Sequence, residues 1–211
     1  MEKVDVYEAC DRAIRLMDRD CLREFGMLKT AKWDRLNVIR TVTQTYRRIV
    51  EKARKRLRED ALETYELIYL LYEEDAKSAR SLAQKAVTAQ AVDDMLERTD
   101  PVTMYRFDAE TERKAYRLAE ALEVAQNKDL EIDRAMRALV KQLAQYAINF
   151  ADFAMVAAYR DLGAKKAMWH TQRDNRVCED CAELNGQVFR IDELPPKPHI
   201  GCRCYWTPVF D

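Results

Sequence analysis

The chain has 211 residues with 36 Lys and Arg against 37 Asp and Glu, a formal net charge of -1, so bulk charge directs it neither to nucleic acid nor to an anionic membrane. Charged residues make up 35% and only 4 glycines and 5 prolines occur, which excludes a turn-rich β-sheet protein and predicts long exposed helices. No apolar run is long enough to span a bilayer and residues 1–20 lack a signal-peptide pattern, so a cytosol-like compartment is expected.

Up to Leu162 the only strong breakers are Gly26 and Pro101. A first amphipathic helix is expected over residues 4–24, with Val6, Ala9, Ala13, Ile14, Met17 and Cys21 spaced by three and four, closing near Gly26. Cys10 and Cys21 follow this stripe, which makes them small buried core residues rather than reactive thiols. From Lys32 to about Glu74 the positions Leu36, Ile39, Val42, Tyr46, Val50, Ala53, Leu57, Ala61, Tyr65, Ile68 and Leu71 continue the same spacing. This predicts one long helix, or a pair with a soft kink, of roughly 60 Å. Such a helix must pack along other long helices or against another subunit.

A further helix is expected over residues 76–98, stopped by Thr99-Asp100-Pro101, with residues 101–108 as a short extended connector. Asp108 or Thr111 is expected to cap the next helix, whose stripe is Tyr116, Leu118, Leu122 and Val124. Asn127-Lys128-Asp129 reads as a turn. A last long helix then carries Ile132, Met136, Leu139, Val140, Leu143, Ala147, Phe150, Ala151, Ala154, Ala158 and Leu162 and ends at Gly163.

Lys29 to Arg58 is strongly basic, with Lys29, Lys32, Arg35, Arg40, Arg47, Arg48, Lys52, Arg54, Lys55, Arg56 and Arg58 opposed only by Asp34 and Glu51. Its simplest role is a solvated face paired with a neighbour of opposite sign; contact with nucleic-acid phosphates or an acidic oligomeric partner is the sharper alternative.

Beyond Gly163 the composition changes, and residues 169–211 hold both histidines, two of the three tryptophans and four of the five prolines. Cys178, Cys181, His199, Cys202 and Cys204 form two pairs at two-residue spacing plus one extra thiol, the pattern of a metal knuckle. A tetrahedral ion such as zinc takes four of these five, leaving either His199 or Cys204 outside. Disulfides joining the two cysteine pairs, or free thiols, are the alternatives. So short a module needs a staple to fold. Asn185-Gly186 reads as a hairpin turn between Leu184 and Val188-Phe189, and the prolines at 195, 196 and 198 lay the chain back towards the first pair. Asp174 and Glu179 are nearby carboxylates, read as solvated.

The fold expected is therefore mainly α: long helices forming an extended helical domain, followed by a small Cys/His-rich, metal-stapled α+β module. Boundaries fall at 1–100, 101–163 and 164–211. No catalytic constellation is present: there is no Gly-rich phosphate loop, no His-Glu-x-x-His and no second histidine beside a nucleophile, so an enzyme is not expected.

The segments Trp169-His-Thr-Gln-Arg-Asp174, Arg176-Val-Cys178-Glu-Asp-Cys181, Leu184-Asn-Gly186-Gln-Val-Phe189 and Pro198-His199-Ile-Gly-Cys202-Arg-Cys204 resemble the C-terminal signature of tailed-phage minor head proteins, the Mu F-type head morphogenesis family. The resemblance is strongest from Tyr146 to Pro208 and extends more weakly upstream to Pro101. It implies a structural virion protein present in few copies inside the head and in the host cytoplasm during assembly. Its partners would be the portal protein and the major capsid protein, with genome DNA reached through the basic helix, and its role head morphogenesis, genome packaging or DNA delivery. No membrane or small-molecule substrate is implied. The competing reading is a zinc-module nucleic-acid-binding regulator. Against it, the five basic residues of 169–211 (Arg173, Arg176, Arg190, Lys197 and Arg203) face seven acids.

Overall fold

The computed structural model describes residues 7–32, 34, 37–101, 103–172 and 177–210. Val4, Val6, Arg35, Leu36, Arg173, Asp174 and Arg176, each given a place above, lie outside the described residues. The protein is mainly α, with long helices and a small strand region near the C-terminus. Among the described residues no helix is long and apolar enough to cross a membrane.

Helix α1 spans Glu8–Thr30 and buries Ala9, Cys10, Ala13, Met17, Cys21, Phe25 and Leu28. It does not close at Gly26. Phe25 and Leu28 on either side are both core residues, and burying two such side chains, at about 1.5–3 kcal/mol each, outweighs the roughly 1 kcal/mol that a helical glycine costs.

The second helix begins later than expected, because Asp34 and Asn37 hydrogen-bond to one another ahead of it: Asn37 N–H donates to Asp34 Oδ1 at 2.8 Å. From there α2 runs unbroken over Val38–Leu70, 33 residues or about 50 Å. Val42, Tyr46, Ile49, Ala53, Leu57, Ala61, Tyr65 and Ile68 form its buried stripe, whereas Ile39 and Leu71 are exposed. The stripe is met by α1, α5 and α6.

The single helix expected at 76–98 is two, α3 (Ala76–Ala86) and α4 (Ala89–Glu97). Thr88 breaks it, extended and accepting from Ala91 N–H at 3.0 Å, while Val87 is buried and its carbonyl accepts from Arg58 Nε. Asp75 caps α3 in the same way, accepting from the N–H groups of Lys77 and Ser78. The connector at 101–108 is a tight turn rather than extended chain. Thr99 bridges Arg106, and Met104 sits at φ 60°.

Helix α5 (Phe107–Val124) starts at Phe107, so neither Asp108 nor Thr111 caps it: Asp108 lies in the first turn, and Thr111 Oγ1 donates to the Phe107 carbonyl at 2.7 Å. The fully buried Phe107 ring, edge-on to Tyr146 at 4.8 Å between centroids, draws the helix start upstream. Its core face is Ala115, Leu118, Ala119 and Leu122; Tyr116 and Val124 face solvent. Asn127 caps α6 (Lys128–Asp161), accepting from Leu130 N–H at 3.1 Å. The helix ends as expected at Gly163, whose φ of 85° lets its N–H reach the Arg160 carbonyl at 2.9 Å while Ala164 N–H reaches Tyr159 at 3.0 Å.

Beyond it, β1 (Lys166–His170) lies between β2 (Val188–Arg190) and β3 (Tyr205–Val209), antiparallel to both. Trp169 pairs with Trp206 across β1 and β3, their rings edge-on at 4.8 Å. The short α7 (Glu179–Leu184) fills the connection from β1 to β2. Asn185-Gly186 closes this helix instead of turning a hairpin between two neighbouring strands: Gly186 N–H donates to the Trp169 carbonyl at 2.9 Å, which guides β2 back onto β1. The sheet rests on α6. Tyr159 OH donates to the Trp206 carbonyl at 2.8 Å and Gly201 N–H to Gln145 Oε1 at 2.6 Å.

Candidate metal centre

Two loops and one short helix bring the five expected donors into two groups of three that share Cys181. Cys178 is the N-cap of α7, and its Sγ accepts from Cys181 N–H at 3.4 Å, the local turn that lets two thiols three residues apart converge. The proline-rich return then carries His199 and Cys202 to the same place, with Cys204 just ahead of β3. Cys181 is the hub. Its Sγ lies 3.5 Å from His199 Nε2 and 3.5 Å from Cys202 Sγ. Donor atoms of Cys178, Cys181 and His199 all fall within 4.8 Å of one another, as do those of Cys181, Cys202 and Cys204.

A tetrahedral thiolate site with metal–sulfur bonds of about 2.3 Å has sulfur–sulfur edges of about 3.8 Å. The contacts around Cys181 are already of that size, so the donor set fits a soft or borderline divalent ion. A disulfide would need sulfurs about 2.05 Å apart; all six cysteines are free thiols. Burial, then the neighbouring sulfurs of Cys178 and Cys202, push the Cys181 thiol well above the usual cysteine range, and burial does the same to Cys202. A cation among them would favour thiolate charge in this cluster, as the neighbouring Lys197 already does for Cys202.

His199 is oriented for ligation. Its Nδ1 lies 3.1 Å from the Ile200 carbonyl, an acceptor that keeps the proton on Nδ1 and leaves the Nε2 lone pair facing Cys181. Cys204 lies near the same hub, so both candidates for the fourth position are within 4.8 Å of Cys181.

The support behind these donors was not legible in the spacing. Lys197 is buried, and its ammonium donates to the carbonyls of Cys202 (3.1 Å) and Cys204 (2.6 Å) and to Tyr7 OH, and pairs with Asp152 Oδ2 at 3.0 Å. Arg203, between the two cysteines, pairs with Asp11 of α1. The only local signal was a lone lysine among three prolines.

The lone cysteines of α1 are core residues, as their place on the apolar stripe predicts. Cys10 and Cys21 are fully buried; burial, chiefly, raises both thiols, Cys21 to about 12. Much of the basic stretch is paired inside the protein. Arg48 and Lys52 grip Glu24 at 2.8 and 2.5 Å, Arg54 joins Asp93 and Asp108, Lys29 meets Asp133 at 2.7 Å and Arg56 lies 3.8 Å from Asp20. Arg40, Arg47 and Lys55 are exposed.

Comparison with known proteins adds to this geometry. The family model described as Phage Mu protein F like protein matches residues 37–207, from the start of α2 into β3. An alignment 60 residues long, covering 26% of the chain, is 38% identical to an uncharacterized protein of Haemophilus influenzae and spans 13% of that relative's length. No solved structure matches the chain.

Proposed function

The chain belongs to the Phage Mu protein F like family, and from that premise we propose that it is a structural, non-catalytic minor head protein that attaches to the portal inside the phage head. The observation that carries the reading is the family match over residues 37–207, which takes in both the long helices and the cysteine centre. In this reading α2 and α6 supply a rigid docking body for the portal and the inner capsid surface. The protein then serves head assembly, genome packaging or DNA delivery.

The cysteine centre holds a structural zinc ion through Cys178, Cys181 and Cys202 with His199 or Cys204. A closed, sulfur-rich ligand set supports a staple over a reaction centre, because it leaves no open position for substrate. DNA contact, where it occurs, falls to exposed bases of the stretch such as Lys32, Arg40 and Arg47.

The deciding experiment is co-expression with the portal protein of the same phage, followed by sedimentation. The protein should travel with portal oligomers and with assembled heads. Failure to associate with either portal or heads overturns the assignment. A regulator would instead show salt-dependent, sequence-selective DNA binding by the free protein.

A further inference from the structure

The first turn of the N-terminal helix lies upstream of the family-matched segment, yet it is bolted to the cysteine centre. Tyr7 is fully buried; its hydroxyl is 2.9 Å from Asp152 Oδ1 and 3.0 Å from the Cys204 carbonyl, and it also accepts from Lys197. The Lys197 ammonium is 4.9 Å and the Arg203 guanidinium 5.5 Å from the centre of the Tyr7 ring. One turn on, Asp11 pairs with Arg203, the residue between two candidate ligands. Every one of these contacts joins α1 to the segment 197–204 or to Asp152 of α6.

We infer that metal binding at the cysteine centre and seating of the first turn of α1 are one coupled equilibrium, transmitted by Lys197 as a positioning residue. The inference rests on the metal reading above. A buried ammonium is tolerated only when its donors are all met, and Lys197 meets them with Asp152, Tyr7 and the carbonyls of Cys202 and Cys204. Both carbonyls belong to the segment that carries the ligand thiols. Ligation holds that backbone and so aims the carbonyls at Lys197, the Cys204 carbonyl at Tyr7 and Arg203 at Asp11. Without an ion, nothing covalent fixes the segment, and the acceptors that seat α1 are free to turn away. Coupling of this kind is reciprocal: whatever factor the ion adds to seating of α1, seating of α1 adds to affinity for the ion.

Cys10 and Cys21 provide the readout. Cys10 lies in the first turns of α1, beside the latch, and Cys21 lies about 16 Å further along the same helix; both are fully buried. The full chain is loaded with Zn2+ or stripped with a chelator under reducing conditions, given a brief pulse of iodoacetamide and mapped by mass spectrometry. Stripping should raise Cys10 alkylation tenfold or more and leave Cys21 within twofold. In the reciprocal arm, Tyr7→Phe and Lys197→Met should each weaken Zn2+ affinity about tenfold against a competing chelator. Should Lys197→Met fail to fold, Asp11→Asn, at the helix surface, tests the same link. Unchanged Cys10 labelling, or Cys10 and Cys21 rising together, in a protein that binds one ion overturns the coupling and leaves the staple standing. A protein that takes up no ion overturns both.

Discussion

The helical body and the terminal module are held together by different means. In the body, α1, α2, α5 and α6 share a continuous apolar core, and residues such as Leu57, Ile68 and Phe150 are buried within it. Its stability is spread over many contacts, so no one of them is decisive. The terminal segment has a three-stranded sheet, two of whose strands are five residues long and one three, and its buried Trp169 and Trp206 join the same apolar cluster as the helices, with Phe189 packed against it. To its share of that core the segment adds a few polar fixings: the Cys181 hub, the Lys197 cluster, and hydrogen bonds from Tyr159 and to Gln145. A distributed core tolerates single losses, whereas a stapled module depends on its staple.

The sharpest way to break this contrast is Cys181→Ser, which removes the donor common to both groups around the centre. Metal affinity should fall by at least about a hundredfold, since structural zinc contributes on the order of 10 kcal/mol to small metallo-domains. Near-ultraviolet circular dichroism from Trp169 and Trp206 should collapse while the far-ultraviolet helical signal persists. Loss of both signals together would show that the body, too, depends on the staple.

Next in size is Leu57→Ala in the middle of α2, a fully buried position. Thermal or denaturant unfolding should report a loss of about 2–5 kcal/mol. Zinc affinity measured below the transition should stay within twofold of the parent, and a larger drop would mean that the two regions do not separate.

Within the body one residue runs against its surroundings. Asp60 is buried on α2 with no salt-bridge partner among the described residues, and only the Thr64 hydroxyl nearby favours its charged form by hydrogen bonding. Burial, then the charge of Glu63, lifts its pKa from 3.8 to about 7 against the opposing pull of Arg12. Below pH 4 folded and unfolded chains are both protonated here and nothing is lost. As pH rises towards 7 the unfolded chain ionises first, so stability falls through this window and stays low above it. Asp60→Asn should abolish that slope and stabilise the protein at pH 8 by on the order of 3 kcal/mol, read from unfolding midpoints across pH 4–8. An unchanged slope would place the pH dependence elsewhere.

The smallest expected effect is at a helix end. Thr88→Ala removes the cap that divides α3 from α4 and should cost about 1 kcal/mol. It should leave the module's tryptophan spectrum untouched, in keeping with a local contribution to the body.

Apolar residues spaced by three and four were enough to identify the long helices, though not the break between α3 and α4, and to assign the lone cysteines Cys10 and Cys21 to the core, because a helix buries whatever falls on its stripe. The Gly163 stop was legible for a similar reason, since a left-handed residue after a long apolar stripe is a local requirement. The candidate donors were legible from spacing alone, because a three-residue offset is itself the geometry of a knuckle. Packing decided the rest. It carried α1 through Gly26 to bury Phe25 and Leu28, moved the start of α5 to Phe107 against Tyr146, and placed acids of α1, α4, α5 and α6 opposite much of the basic stretch. The Lys197 cluster was wholly beyond local reading: Tyr7 and Cys204 meet across nearly the full length of the chain, and a contact between residues so far apart leaves no periodicity at either end.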